Sequence, residues 1–536
     1  MKKEKIINVI KSLVITLVVG FIYFYIALPP INIHSIEFYI FAIITYSVFL
    51  ISISIFEYGT MFDGKVISRK VKPSRLYKYS FALIPTIIVL IVIINFALSP
   101  IFNSKSYANR IKIGTGKDFS TEVKEVDFSK VPLLDRDSTS IIGDRVVGGM
   151  TDLVSQFYVS DLYSQINYDN KIVRVTPLEY DDFIKFMINR NNGIPYFVVV
   201  NSVSGEAELK KLDKGMKYMP SAYFNDNLYR RLRFNYPTVI MGEANFELDN
   251  DGKPFFVVPT IKYSGVGLKE EIDGVIVFDP VTGKSNKYMV GNVPTWIDHV
   301  FSPSLIIEQF DDYGLYNGGF LNSLFGQKNV VATTDGYNYM TYDDDVYLYT
   351  GVTSVASDES NLGFILVNMR TKETNYYIIP GAEEFSAMAS AEGQVQQMSY
   401  VSTFPLLINL NGRATYMVSL KDNAGLVKMY GFVDVQDYQK VSVTDASLGI
   451  YKARDNYIKL IGTKTGKTLE EITISTINTV IIDGNTYYYI VDTNGEKYRV
   501  SVKVNEEIIP FIKVGDKIKI DSTDLNDIKE IHSLTL

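Results

Sequence analysis

Residues 80–98 read SFALIPTIIVLIVIINFAL, a run without a charged side chain, and two earlier runs have the same character. These are Ser12–Leu28 and Ile36–Phe56, each 17 or more residues long and almost without charge. About 20 apolar residues span a bilayer as a helix, because hydrocarbon leaves the backbone no hydrogen-bond partner but itself. The sequence therefore predicts a three-helix transmembrane anchor over residues 1–98.

The basic residues predict the orientation of this anchor. Lys and Arg are absent from the first connection, Pro29–Ser35, and concentrate at the N-terminus and in the second connection. They are Lys2, Lys3, Lys5, Lys11, Lys65, Arg69, Lys70, Lys72, Arg75 and Lys78. Basic segments stay on the cytoplasmic side, so the third span places residues 99–536 outside the cytoplasm. We expect a multi-pass protein of a bacterial cell membrane, with the lipid bilayer as a partner.

Composition narrows the classes of partner that the exported part of the chain can bind. The net charge is −7 although the membrane segment is basic, so the exported part is acidic, which argues against nucleic acid. The chain has no cysteine. A secreted eukaryotic chain of this length usually carries disulfides, so their absence fits an exported protein of a Gram-positive bacterium.

After a lead-in over residues 99–175, a unit of one helix and two antiparallel strand pairs recurs. Thr176-Pro177 predicts the start of the first helix, with Thr as N-cap and Pro in the first turn. We expect α+β modules 1 and 2 over residues 176–300 and modules 3 and 4 over residues 301–464. Within the lead-in, Ser120–Lys130 predicts a short helix.

Three of these modules share an apolar strand that ends in Asn or Asp and is followed by a turn. The strand reads FVVVNSVSG from Phe197, VIVFDPVTG from Val275 and FILVNMRTK from Phe364. Asx side chains at such a point accept hydrogen bonds from the following backbone. We interpret the modules as diverged repeats; the alternative is a set of unrelated hairpins.

Residues 465–536 predict a separate small β-barrel. Five short strands alternate with turns, and Asp483-Gly484 and Asn494-Gly495 are strong hairpin signals. Val514-Gly515-Asp516-Lys517 before the last of them is similar to OB- and SH3-like barrels. The predicted fold class is therefore α+β: three transmembrane helices, tandem helix-plus-antiparallel-sheet modules and a C-terminal barrel.

The sequence carries little catalytic chemistry. It has three histidines and no cysteine, whereas zinc sites and nucleophilic triads need clusters of these residues. The turn Asp249–Gly252 starts like a calcium loop but lacks the acceptor and the Glu that such a loop requires further on. We predict no catalytic, cofactor-binding or metal-ligating residue.

Charged residues near predicted turns are the candidates for ligand or partner contacts; the alternative is that they form turns and surface ion pairs. Asp298-His299 lies near the only Trp, which makes half of a triad conceivable and a structural pair the simpler interpretation. The candidates are Asp135, Asp137, Asp144, Arg145, Asp298, His299, Asp343, Asp344 and Asp345.

The hairpin tip Asp251-Gly252 followed by Asp279-Pro280-Val281-Thr282-Gly283 resembles PepSY-type modules, small exported α+β units. The other modules depart from this motif. Stretches such as Gly381–Met388 and Gly425–Tyr430 are also similar to large membrane-anchored envelope proteins of low-GC Gram-positive bacteria. The PepSY resemblance implies binding and protease regulation rather than catalysis, and the second resemblance implies a family without an assigned reaction.

We therefore expect an extracytoplasmic binding or scaffold protein of the cell envelope that contacts an envelope protein or a wall polymer and needs no cofactor. One alternative is an envelope hydrolase that acts on wall glycan through paired carboxylates. Another is a sensor that passes an external signal to a membrane partner.

Overall fold

The three predicted spans are helices. The computed structural model describes residues 2–58, 75–342, 345–355, 357–461, 469–482, 485–525 and 528–536. Helices α1 (Lys2–Ala27), α2 (Ile36–Tyr58) and α3 (Arg75–Leu98) are each long and apolar enough to cross a membrane. Most of the basic connection between α2 and α3 lies outside the described residues.

The helices after the anchor share a simple start signal. Five of them begin at an Asp, Asn or Ser whose side chain accepts a backbone amide of the first turn, the preferred N-cap arrangement. The helices are α4 (Pro100–Ala108), α5 (Phe119–Glu122), α6 (Arg136–Gly148), α7 (Thr151–Val154), α8 (Phe183–Asn189), α9 (Leu228–Asn235), α10 (Pro303–Tyr316), α11 (Glu384–Gly393) and α12 (Ile450–Ile461).

Four antiparallel sheets follow, and each has five consecutive strands with the same pairing. The first and second strands pair with opposite ends of the third, which pairs with the fourth, which pairs with the fifth. Sheet 1 contains β2 (Phe157–Val159), β3 (Ser164–Tyr168), β4 (Lys171–Tyr180), β5 (Ile194–Asn201) and β6 (Ala207–Met216). Sheet 2 contains β7 (Ile240–Met241), β8 (Asn245–Leu248), β9 (Pro254–Tyr263), β10 (Glu270–Phe278) and β11 (Ser285–Met289).

Sheets 3 and 4 repeat this pattern. Sheet 3 contains β12 (Val331–Thr333), β13 (Asn338–Tyr342), β14 (Asp345–Ser354), β15 (Ser357–Asn368) and β16 (Thr374–Tyr377), and gains β1 (Ile113–Lys117) and β17 (Gly381–Ala382) at its edges. Sheet 4 contains β18 (Val401–Ser402), β19 (Leu406–Leu410), β20 (Arg413–Lys421), β21 (Val427–Asp434) and β22 (Val441–Asp445). The expected tandem helix-plus-sheet architecture is confirmed, although sheet 1 begins at Phe157, within residues 99–175 that the sequence assigns to a lead-in.

The four sheets form a ring. One apolar core joins sheets 1 and 2, another joins sheets 2 and 3, and a third joins sheets 3 and 4. Residues 123–139 fill the seam between sheets 4 and 1, where Leu133 donates to the Ser202 carbonyl and accepts from the Ser419 hydroxyl. The second strands of the sheets meet at the centre of the ring. For example, the Phe246 amide of β8 donates to Ser164 Oγ of β3. Four meanders around a common centre resemble a four-bladed β-propeller.

The Asx signal at the end of the fourth strand occurs in all four sheets. In each, one side-chain oxygen accepts the backbone amides two and three residues further on, as the sequence predicts for three of them. The acceptors are Asn201, Asp279, Asn368 and Asp434. The turn after Asp434 is longer, which hides the fourth signal in the sequence: the Asp434 amide donates to the carbonyl of Lys440, six positions on, whereas the other three acceptor residues pair five positions on.

The C-terminal barrel is closed. Its strands are β23 (Glu470–Ile482), β24 (Asn485–Asp492), β25 (Lys497–Ser501), β26 (Lys517–Leu525) and β27 (Ile528–Thr535), in the order β23-β24-β25-β27-β26. Two predicted strands are one continuous strand, β23, and β27 was not predicted. The turn Asp483-Gly484 lies outside the described residues, although β23 and β24 pair on both sides of it.

Two local predictions are wrong. Thr176 and Pro177 lie inside β4 rather than at a helix start, and helix α8 begins later, with Asp182 as its N-cap. Pro177 is tolerated because its carbonyl accepts the Ser160 amide and it needs no donor there. Ser120–Lys130 is not one helix: α5 ends at Glu122 and a short 3₁₀ turn begins at Phe128.

Candidate functional site

A cavity of about 420 Å³ opens at one end of the ring, where the second strands of all four sheets begin. Because the four strands start at the same end, the residues just before them converge there. The sheets contribute Asp161–Ser164, Glu243–Asn245, Tyr337–Tyr339 and Thr403–Phe404, and the start of α6 contributes Asp135–Asp137. The cavity is thus a product of the repeat, and no single module contains it.

Arg174 on β4 lines this cavity from below. The residue is 6% exposed, and one guanidinium nitrogen, Nη2, donates to Gln165 Oε1 at 2.9 Å. Its Nε is buried without a hydrogen-bond partner among the described residues. Burial lowers the pKa of Arg174 to about 10, which still leaves it cationic at neutral pH. A buried cation with spare donors is an anion-binding group.

The cavity also holds carboxylates of two kinds. Asp135 caps α6 and pairs with Lys421; burial raises its pKa, but hydrogen bonds from Lys421 and Ser138 outweigh burial and hold the pKa below the ordinary value. Asp137 is 81% exposed on its side chain, with Lys421 only at 3.7 Å. Asp161 and Glu243 are exposed at the rim. Asp135 is therefore structural, whereas the other three can face a ligand.

Aromatic rings complete the lining. Tyr337 and Tyr339 stand edge to face with ring centroids 5.6 Å apart, and Tyr163 and Phe404 lie on other walls. The Tyr163 hydroxyl is buried without a hydrogen-bond partner, and burial raises its pKa above the ordinary value. Such rings offer flat apolar contact with a polar edge.

A buried polar layer supports the floor of the cavity. Glu247 is fully buried and accepts the backbone amides of Asp298 and His299 at 2.8 and 3.1 Å. Asp298 accepts the Asn167 amide, and His299 Nε2 donates to the Gln165 carbonyl at 2.7 Å. This layer ties the loop before α10 to β3 and β8, so it positions the Gln165–Arg174 pair.

Burial sets the ionisation of this layer. Burial raises the pKa of Glu247, and burial together with the Glu247 charge raises that of Asp298 well above its ordinary value. Burial lowers the pKa of His299 to about 4, so its imidazole is neutral at neutral pH. His299 and Asp298 contact the framework rather than the cavity, as the simpler interpretation of this pair predicted.

The other predicted contact residues do not join the cavity. Asp144 and Arg145 are exposed on α6, where burial and the neighbouring Asp161 raise the pKa of Asp144. The predicted turns at 135–145 are a helix, because Asp135 caps it. Asp345 binds Arg370 through two carboxylate oxygens at 2.6 and 2.8 Å. Asp343 and Asp344 lie outside the described residues.

A second cavity of about 510 Å³ lies at the other end of the ring. Residues 123–132 form one wall, and β13 and β19 form the other. Asn409 Oδ1 and Thr341 Oγ1 are buried there without a hydrogen-bond partner. This cavity lacks a buried cation, so the first cavity has the stronger claim to a ligand. Among the described residues, no group of three or more His, Asp or Glu is arranged to hold a metal ion.

Sequence reasoning missed Arg174, Gln165 and Glu247. Arg174 sits in the otherwise apolar run KIVRVTP, and a charged residue in the middle of a buried strand is a signal that points to a site or a buried pair. Glu247 sits in the short strand NFEL with the same signature. The partners of both come from distant segments, so the sequence could flag these residues but not assign them.

No family model and no curated protein matches the chain. Among solved structures, a mutant of the Synechocystis apocarotenoid oxygenase and a chimera of that enzyme with RPE65 are similar at 9% identity and a TM-score of 0.13. The alignment covers 53% of this chain and 47% of theirs, so the chain spans about half the length of these structures. A likeness this weak carries no functional argument.

Proposed function

We propose that the protein is an extracytoplasmic binding protein of the bacterial cell envelope, held by its three helices, whose ligand binds in the cavity at the end of the ring. The observation that carries the proposal is Arg174, a buried cation whose Nε has no hydrogen-bond partner and which lines a cavity built by all four sheets. A protein that served only as a spacer would gain nothing from a buried, unpaired cation, because its desolvation is unfavourable.

The lining favours a ligand that carries both a carboxylate and an ammonium group. The planar guanidinium of Arg174 suits a carboxylate, which it can bind with two parallel hydrogen bonds. Asp137, Asp161 and Glu243 at the rim suit an ammonium group. Tyr337 and Tyr339 add contact area. Peptide fragments of wall material have this chemistry, which agrees with the wall or protein partner expected from the sequence.

Binding can be measured on the full chain in lipid nanodiscs, with the soluble peptides released from purified wall material as the probe. Saturation-transfer NMR identifies bound peptides, and calorimetry gives their affinity. We expect Arg174→Met to weaken binding at least tenfold, while Arg499→Met, which removes a barrel arginine paired with Glu530 at 2.6 Å, leaves it unchanged. Asp161→Asn changes an exposed rim residue, so it should not affect folding, and we expect it to weaken binding severalfold. It tests the cavity even if Arg174→Met fails to fold. Equal binding by all variants would contradict the proposal.

The second candidate, a wall hydrolase, is favoured by the carboxylates of the same cavity. Glycoside hydrolysis needs two carboxyl groups about 5–10 Å apart, one of them a proton donor. Asp135 cannot serve as that donor, because its pKa is held low by Lys421 and Ser138. The test is whether the purified protein releases reducing sugars from wall material. If it does, and if Asp161→Asn and Glu243→Gln abolish the release, the hydrolase hypothesis replaces the binding hypothesis.

The proposed orientation places residues 99–536 outside the cytoplasm. In support, the α1–α2 connection contacts the ring: the Ile31 amide donates to Pro237, and the Gly267 amide donates to His34. The ring thus lies on the side of the non-basic connection. Protease added to wall-stripped cells should digest residues 99–536 and spare the anchor. Protection of the ring in intact cells, with digestion after lysis, would reverse the orientation.

A further inference from the structure

Helix α8 is an insertion found in only one of the four sheets. It lies between the third and fourth strands of sheet 1, where sheets 2 and 4 have short turns and sheet 3 has β14 and β15 in near succession. Its exposed face is apolar: Phe183, Ile184, Met187 and Ile188 are 43–64% exposed. An apolar face this exposed on a short helix marks an interaction surface.

The α8 face is continuous with the membrane anchor through a chain of contacts. Phe183 packs edge to face on Phe224, with ring centroids 6.0 Å apart, and Phe224 is itself 47% exposed. Arg190 at the end of α8 pairs with Asp226 at 3.2 Å. Asn225, which lies between Phe224 and Asp226 in the chain, accepts a 3.3 Å hydrogen bond from the Tyr25 hydroxyl of α1.

Tyr25 fixes the height of this surface relative to the bilayer. It lies in the last turn of α1, two residues before the helix ends, which is about 3 Å along the axis. Arg230 of α9 stacks on its ring at 4.3 Å and donates to its carbonyl at 3.0 Å. Tyrosines at helix ends sit at the boundary between acyl chains and water. Residues in direct contact with Tyr25 therefore lie at the level of the lipid headgroups.

We infer that Phe183, Ile184, Met187, Ile188 and Phe224, named here the α8 patch, insert into the outer surface of the lipid bilayer beside the anchor. The patch continues the apolar surface of α1 rather than forming an isolated spot, and lipid is what surrounds α1 at that height. Interfacial helices bind lipid in this manner, with an apolar face buried at the boundary between headgroups and acyl chains. The inference rests on the proposed membrane placement.

Tryptophan quenching by brominated lipid tests this contact on the full chain in nanodiscs. Trp296, the only Trp, is replaced by Phe, and a single new Trp is introduced at one of three positions. Ile184→Trp reports the patch, and Val89→Trp, on the exposed surface of α3, reports the anchor. Tyr438→Trp reports solvent, because Tyr438 is 46% exposed in the connection between β21 and β22 of sheet 4, across the ring from sheet 2.

We expect brominated acyl chains to reduce emission at least twofold for Val89→Trp and at least 1.5-fold for Ile184→Trp, with no change for Tyr438→Trp. If Val89→Trp is quenched and Ile184→Trp behaves like Tyr438→Trp, the patch does not contact lipid and the inference is wrong while the anchor stands. If Val89→Trp is not quenched, the membrane placement itself fails, and the inference fails with it.

Discussion

Arg110 joins the anchor to the ring, and its removal should destabilise the ring measurably. It lies two residues after the end of α4, and its side chain is fully buried. Its guanidinium contacts Glu308 and Asp312 of α10 and Glu271 of β10, and also donates to the Glu270 carbonyl. One side chain therefore satisfies acceptors on two elements, α10 and β10, which the hydrogen bond from Gln309 to Glu271 also joins.

The magnitude follows from what remains after Arg110→Met. Removing one partner of a buried ion pair costs about 3–5 kcal/mol, because the other charge stays desolvated. Glu308 and Glu271 are 57% and 31% exposed and can turn to water, whereas Asp312 is only 14% exposed. One buried carboxylate is left, so we expect a loss of about 3 kcal/mol. For a ring of this size that corresponds to a fall of about 3–6 °C in the unfolding midpoint.

The assay is thermal unfolding of the full chain in detergent, followed by tyrosine absorbance. Arg499→Met is the matched control, since it removes a half-exposed pair in the barrel worth about 0–1 kcal/mol. Burial already raises the pKa of Asp312, and Arg110 opposes this shift. Without Arg110 the folded state favours protonated Asp312, so the deficit should shrink between pH 8 and pH 5. A midpoint within 1 °C of wild type, or a deficit that grows at pH 5, would refute the reasoning.

Three further predictions concern the ring. Asp279→Ala loses the amide hydrogen bonds of Val281 and Thr282 and should cost about 1 kcal/mol in urea unfolding, whereas Asp279→Asn should cost less than half of that. Burial lowers the pKa of His299 to about 4, so the stability that its neutral form contributes is complete above pH 6.5 and is lost as the pH falls towards 4. The free energy by which wild type exceeds His299→Gln should therefore shrink by about 3 kcal/mol across that window. A difference that stays constant with pH would contradict this prediction. Glu384→Leu leaves the Tyr349 hydroxyl and the Asn361 amide without their buried acceptor and should lower stability by about 3 kcal/mol, with Glu384→Gln milder.

The sequence predicted those parts of the fold that local chemistry determines. The spans follow from hydrocarbon solvation over about 20 residues, and the hairpin tip Asp251-Gly252 between β8 and β9 follows from the positive φ that Gly supplies. The helix start predicted at Thr176-Pro177 is wrong because residues that favour helix caps also occur inside strands. The pairing of Pro177 with Phe197 on β5 keeps this segment in a strand. The ring itself could not be predicted, since its closure depends on contacts between residues such as Leu133 and Ser419, which are far apart in the chain.

The candidate site was predictable only at its edge. Asp135 and Asp137 were chosen for charge near a turn, and both line the cavity. Asp144 and Arg145 share that character but lie further along α6, away from the cavity opening. Arg174 acquires its role from burial beneath four strand starts, and no local pattern encodes that. Predicting the cavity from the sequence requires knowing which sheets pack beside one another in the ring.

The join between anchor and ring bears on how the protein works. Only Ser99 separates α3 from α4, so no flexible linker lets the ring move away from the membrane. Polar ties fix it further: the Asn95 side chain exchanges two hydrogen bonds with the backbone of Val266, and Arg233 donates to the Leu28 carbonyl. A tether that reaches into the wall would be built with a long flexible connection. Under the proposed function, a ring bound this closely is suited to a ligand that arrives at the membrane surface, and the alternative hypothesis of a sensor would need the same rigid connection between the helices and the sheets.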